Sequence, residues 1–108
     1  MPKANLPNMI ASQMAGFADE AITVSTSAKQ LTAAKYEDSD GIAKRAVITI
    51  ESGGQIRYRY AGGNPTASLG HLMNPYGVII LNTTTSIKNF RIIRAGSADV
   101  KIFASYEH

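Results

Sequence analysis

The chain has 108 residues, 44% of them hydrophobic and 18% charged, which suits one compact domain with a buried core and excludes the composition of a disordered protein. It contains no cysteine, so disulfides, thiolate zinc sites, iron–sulfur clusters and cysteine nucleophiles are excluded together. Eleven Lys and Arg against eight Asp and Glu give a formal charge of +3, too mild a bias to name a partner.

Residues 1 to 20 read as an arm, extended or partly helical, with two Pro, two Asn, three Met and no period-2 alternation. A short helix capped by Asn8 would gather Met9, Ile10, Met14 and Phe17 on one side. About ten residues is too short for an isolated helix in water, and Gly16 interrupts the pattern. These four apolar residues therefore need cover from the domain's own core or from a neighbouring chain, and they are the candidate protein interface. Asn5, Pro7, Asn8, Ser12 and Gln13 break up any secretory h-region, and the longest aliphatic run, Val78-Ile79-Ile80-Leu81, is far below the roughly 18 residues of a spanning helix. No export by that route and no membrane are expected.

From residue 21 to 108 the pattern is that of a β domain. Ile22, Val24 and Thr26 alternate with Thr23 and Ser25 as in a half-buried strand. Residues 28 to 43 carry no clear period and read as irregular, ending in the loop Glu37-Asp38-Ser39-Asp40-Gly41. Arg45 to Glu51 is a β-branched strand, Ser52-Gly53-Gly54 offers a tight turn, and Gln55 to Tyr60 alternates again, which together predict a hairpin. Its second strand should bury Ile56, Tyr58 and Tyr60 and expose Arg57 and Arg59. Asn74-Pro75-Tyr76-Gly77 suits a type I turn with Pro second and Gly fourth. Val78–Asn82, Asn89–Arg94 and Ala98–Tyr106 complete six strand candidates. With no long amphipathic helix between them, the fold class is all-β, a small antiparallel β-sandwich or barrel.

Chemistry-bearing patterns are sparse. His71 is the one internal imidazole, expected to be a structural histidine bonding a turn, and His108 is terminal and expected to be mobile. Aligning Gly41 with the sixth position of a calcium loop puts Asp38 and Asp40 at the third and fifth, but Tyr36 and Val47 fall where the first ligand and the closing glutamate belong. A solvated acidic turn is the expectation, and no metal or other cofactor is expected. No Gly-x-Ser-x-Gly elbow or phosphate-binding Gly-rich loop occurs, and the acids, Asp19 and Glu20 among them, are expected in turns or at strand ends. A non-enzymatic protein with no small-molecule substrate is expected. Arg57 and Arg59, joined across strands by Arg91, form a candidate basic contact face, although alternating arginines also serve simply to keep one face of a sheet wet. Nucleic acid is therefore not the expected partner.

Ile56-Arg57-Tyr58-Arg59-Tyr60, then Asn64-Pro65-Thr66-Ala67-Ser68 and Gly70-His71-Leu72 ahead of Gly77-Val78-Ile79-Ile80-Leu81, resembles a pattern in small tailed-phage virion structural proteins. The likeness extends to Ile22–Leu31, Phe90–Arg94 and Val100–Tyr106 and leaves the arm outside it. It implies a virion component assembled in the host cytoplasm: a head decoration or cement protein that self-associates into a homo-oligomer and binds neighbouring capsid subunits. The alternative it implies is a tail, baseplate or fibre-associated module contacting host glycans, for which Tyr36 and Tyr76 are the candidate platforms.

Overall fold

The computed structural model describes residues 15–108, and within them the fold is mostly β, with every strand pairing antiparallel. The elements are β1 (Gly16–Val24), β2 (Lys29–Gln30), α1 (Ala33–Tyr36), β3 (Glu37–Asp38), β4 (Gly41–Ile42), β5 (Arg45–Ile50), β6 (Ile56–Arg59), β7 (His71–Met73), β8 (Val78–Leu81), α2 (Thr84–Asn89), β9 (Arg91–Arg94) and β10 (Val100–Glu107). One four-stranded sheet, A, has the order β1-β10-β5-β8, and the other, B, has β2-β9-β6-β7. β3 and β4 form a separate two-stranded ribbon.

The two sheets share one hydrophobic core, and its origin is the period-2 pattern of their strands. β10 buries Val100, Ile102, Ala104 and Tyr106, and β5 buries Ala46, Ile48 and Ile50. Ile56 and Ile92 answer from sheet B, with Phe90, Ile87 and Leu31 closing the ends. Among the described residues, no buried one is polar or charged.

Several expectations are corrected. β5 and β6 are not a hairpin: β5 pairs with β10 and β8, while β6 pairs with β7 and β9. The glycines carry the chain from one sheet to the other. Gly53 and Gly54 have φ of 130° and 139°, and a Cβ on Gly53 would lie 2.6 Å from the Asp99 carbonyl oxygen. Ile50 and Ile56 thus end up buried in different sheets.

The turn at Asn74–Gly77 is type II in character, since Tyr76 has φ of 68°. Gly77 N donates to Asn74 O at 3.1 Å, Tyr76 N to Ile50 O at 2.7 Å and Ile50 N to Gly77 O at 2.9 Å. Two residues therefore oppose one, a bulge whose left-handed position usually holds glycine and here holds tyrosine. The stretch read as irregular contains β2, α1 and the β3–β4 ribbon, elements of two to four residues, too short to carry a period.

β1 begins at Gly16, so the last five residues assigned to the arm belong to sheet A, paired with β10. Asp19 and Glu20 consequently sit within a strand, not at a turn or strand end. Phe17 is half-buried, packs against the core and stacks on His108 at 4.2 Å. It is a fixed part of the domain and not a loose anchor. Met9, Ile10 and Met14, with the predicted helix, lie outside the described residues.

Candidate functional site

The free edge of sheet A is where unusual features converge. β8 ends the sheet order, and among the described residues no strand pairs with its outer side. Antiparallel pairs alternate in which residues bond across the ladder. Ile50 bonds to the Tyr76–Gly77 bulge, so two steps along the register Ile79 and Leu81 direct their amides and carbonyls at β5. The backbone groups of Val78 and Ile80 then point away from the sheet.

The side chains alternate as well: Ile79 and Leu81 are buried, while Val78 and Ile80 are 51% and 54% exposed. Val78 continues through Thr49 and Phe103 to Ala21 in a cross-strand row on the outer face. Ile80 lies opposite Val47. An apolar stripe thus runs up to an unpaired edge, a combination natural sheets usually block with charge, proline or a bulge. The opposite edge is blocked in that way, because β1 has a register shift between Gly16 and Ala18 and carries Asp19 and Glu20.

Beside β8 lies a groove of about 320 Å³ lined also by Tyr58 of β6, by Tyr60 just beyond that strand, and by Asn82, Thr83 and Ser86. Tyr60 and His71 stack at 5.7 Å and 18°, and Tyr58 contacts His71 at 5.2 Å and the buried Phe90 at 5.7 Å. The shelf is therefore tied to the core. Burial, and next to it Tyr60, pushes the Tyr58 hydroxyl pKa up, so it is a neutral group at physiological pH. Thr83 caps α2 by accepting from Ser86 N at 3.0 Å, which fixes the polar end of the groove.

This arrangement departs from the sequence expectation in two ways. Tyr60, expected to be buried, is 45% exposed, and Tyr58 is only half-buried. Cover falls along this stretch, from the fully buried Ile56 through the half-buried Tyr58 to Tyr60, which lies just past the end of β6. His71, expected to bond a turn, lies on β7, which the sequence did not signal, and its ring stacks on tyrosines.

Arg57, Arg59 and Arg91 do share the outer face of sheet B, with Arg59 directly opposite Arg91. Their guanidinium groups are engaged with backbone. Arg57 donates to Ala67 O at 3.0 Å and Gly70 O at 2.9 Å, which straps the 61–70 loop over the sheet. Arg59 donates to Asn64 O at 3.2 Å, and a Cβ on Gly63 would collide with its guanidinium carbon at 2.6 Å. Arg91 donates to Phe90 O and Lys88 O at the end of α2. These bonds tie the arginines to backbone carbonyls, Arg57 through two of its nitrogens and Arg59 and Arg91 through one.

Two polar clusters stand elsewhere. The Glu20 carboxylate accepts from Tyr106 Oη at 2.5 Å, Thr32 Oγ1 at 2.7 Å and Thr32 N at 3.1 Å. Burial first, then this carboxylate, drives the Tyr106 pKa far above the tyrosine range. Tyr36 is buried against Tyr106, so it offers no platform for a sugar.

Asp38, Asp40 and His108 have ligand-type atoms within 4.8 Å of one another on the surface. Asp38 accepts from Asp40 N at 2.8 Å and faces His108 Nε2 at 3.0 Å. Partial desolvation raises the Asp38 pKa, but the Asp40 amide and the His108 ring outweigh it and hold the carboxyl below its ordinary range. With Ala15 paired to its backbone and Phe17 on its ring, His108 is pinned and not mobile. Comparison with known protein families, curated proteins and solved structures finds no match.

Proposed function

We propose that this chain is a structural subunit of a phage particle that decorates or cements the capsid by binding neighbouring protein subunits, with no chemistry of its own. The observation that carries the reading is the β8 edge, unpaired among the described residues, where exposed Val78 and Ile80 lie beside the Tyr58–Tyr60 groove. An open strand edge takes another strand through main-chain bonds, and side-chain pockets beside it choose the sequence. The resemblance to small virion proteins supplies the setting, a lattice of repeated partners built in the host cytoplasm.

Full burial of an aliphatic side chain yields about 1.5–3 kcal/mol, and Val78 and Ile80 are already half covered, so each adds roughly 1 kcal/mol on docking. That is small for one contact. A symmetric shell multiplies it, because linked subunits present many sites at high effective concentration. The test is co-sedimentation of the purified chain with isolated heads and isolated tails. Binding to heads, weakened by Val78→Lys, is expected; binding to neither overturns the reading.

The alternative, a tail, baseplate or fibre module touching host glycans, is favoured by one observation, the exposed Tyr60 ring stacked on His71. Aromatic faces of this kind suit sugar rings. Binding to tails only, with hits on a glycan array that vanish in Tyr60→Ala, would select it.

A further inference from the structure

We propose that Asp38, Asp40 and His108 form a binding site for one divalent transition-metal ion of the zinc class, held by two carboxylates and one imidazole with water completing its shell. The inference is independent of any role in a particle. It rests on what the fold adds to an acidic turn. The turn from Glu37 to Gly41 offers carboxylates alone, and its spacing lacks the first and last ligands of a calcium loop. To these carboxylates the fold brings an imidazole from 70 positions away in the chain. That changes the class of ion the donors suit, because oxygen-only sets favour calcium and magnesium whereas imidazole favours zinc, copper and nickel.

The donors are in place before an ion arrives. His108 N donates to Ala15 O at 3.2 Å and His108 O accepts from Ala15 N at 3.2 Å, which fixes its backbone at the end of β10. Its ring stacks on Phe17 at 4.2 Å and 22°, and only 20% of the side chain is exposed. Nε2 is thereby aimed at Asp38. On the other side, Asp38 pairs with Gly41 across the β3–β4 ribbon, and its Oδ1 accepts from Asp40 N at 2.8 Å. The ribbon is anchored in turn, since Ala43 N donates to the carbonyl of the buried Tyr36 at 2.8 Å. Binding then costs little further ordering of these side chains.

The spacing and the charge both fit an ion. Nε2 lies 3.1 and 3.0 Å from the two Asp38 oxygens. Two donors each about 2.1 Å from a metal are about 3.0 Å apart at a right angle and about 3.4 Å apart at the tetrahedral angle. An ion can therefore seat between ring and carboxylate with small movements of either. Ligand atoms of all three residues lie within 4.8 Å of one another. Opposed donors of an octahedral ion are about 4.2 Å apart, so Asp40 has to close by less than about 1 Å. An imidazolium cancels one carboxylate, and Asp38 takes that pairing, while Asp40 has no ion-pair partner among the described residues. A divalent ion answers both carboxylates and takes the place of the ring proton. It would tie the β3–β4 ribbon to the end of β10 and, through Ala15, to the start of β1.

The chain has two histidines and no cysteine, so the ring that binds can be identified directly. Full-length chain without appended histidines, stripped by a chelator, is titrated with zinc chloride by calorimetry and by NMR of the histidine rings. One ion per chain is expected, with the His108 ring resonances shifted and those of His71 unmoved. Saturating zinc should raise Tm by roughly 5 °C or more, and calcium should bind at least tenfold more weakly than zinc. Loss of a mere outer partner of a metal ligand already costs about tenfold or more, so His108→Gln and Asp40→Asn should each weaken zinc at least tenfold. Asp40 is an exposed turn residue, so this second variant keeps the fold even if His108→Gln loosens the strand end. No saturable zinc uptake, a shift of the His71 ring in place of His108, undiminished binding by Asp40→Asn, or calcium binding as tight as zinc would overturn the proposal.

Discussion

Replacing Tyr106 with Phe removes one oxygen from the interior and leaves the ring against Tyr36 at 6.0 Å. The lost bond is charge-assisted, running from a fully buried hydroxyl to a carboxylate that also holds Thr32. Hydrogen bonds to charged groups contribute about 1.5–3 kcal/mol, and Glu20 keeps its two Thr32 donors, so the substitution should cost about 2 kcal/mol. In a domain of this size that is a fall in Tm of roughly 8–16 °C.

The pH dependence follows from the raised Tyr106 pKa. The unfolded chain releases its proton near pH 10 while the folded chain retains it, so this stabilisation is complete below about pH 10 and declines as pH rises above it. Urea titrations from pH 8 to 11 should show the parent losing stability over that limb and Tyr106→Phe losing it less steeply. An unchanged Tm, or an identical alkaline limb in both proteins, would refute the assignment of Glu20, Thr32 and Tyr106 as a stabilising node.

Other substitutions test other parts of the account. Tyr76→Gly should stabilise the domain by about 1 kcal/mol in thermal denaturation, because Tyr76 is 77% exposed and holds φ of 68°, a region that costs an L-residue roughly 1–2 kcal/mol. Arg57→Lys should expose the 61–70 loop to limited proteolysis and cost about 1 kcal/mol, since an ammonium does not reproduce the fork to Ala67 and Gly70. Gly70→Ala should cost more than about 2 kcal/mol, because φ is 130° and the added carbon would lie 3.0 Å from Tyr58 O. Asp38 has a lowered pKa, so its hold on His108 is present above the ordinary carboxylate range and lost as pH falls through the folded value. Amide exchange at Ala15 and His108, corrected for the intrinsic rate, should accelerate over that acid limb, and Asp38→Asn should remove the acceleration.

What the sequence makes legible is burial, and what it hides is partnership. β5 and β10 show their alternation openly, and the residues that alternate are the ones the core contains. The same strands do not reveal which sheet they join: Gly53 and Gly54 mark a turn equally well whether the chain folds back or crosses over. α2 is missed because its signal is one cap, Thr83 with Ser86, inside a run of threonines that also suits a turn. β7 is missed because its three residues include a histidine and follow a glycine.

The candidate site was legible only in part. Val78 to Leu81 stand out as a strand, but an unbroken aliphatic run does not tell a central strand from an edge. That depends on the ladder formed with β5 and on what lies beyond it. Alternation puts Tyr58 and Tyr60 on the buried side, because it fixes a side and not how far cover extends along it. The same alternation puts Arg57 and Arg59 on the outer face, yet their partners are carbonyls of a loop whose path only the fold defines.

The most direct measurement is a reconstruction of the phage particle at a resolution that traces strands. The account predicts many copies of this chain on the head, each with a protein strand paired along Val78 and Ile80 and side chains filling the groove at Tyr58 and Tyr60. A particle without the chain, or copies whose β8 edge and groove face solvent, would contradict it.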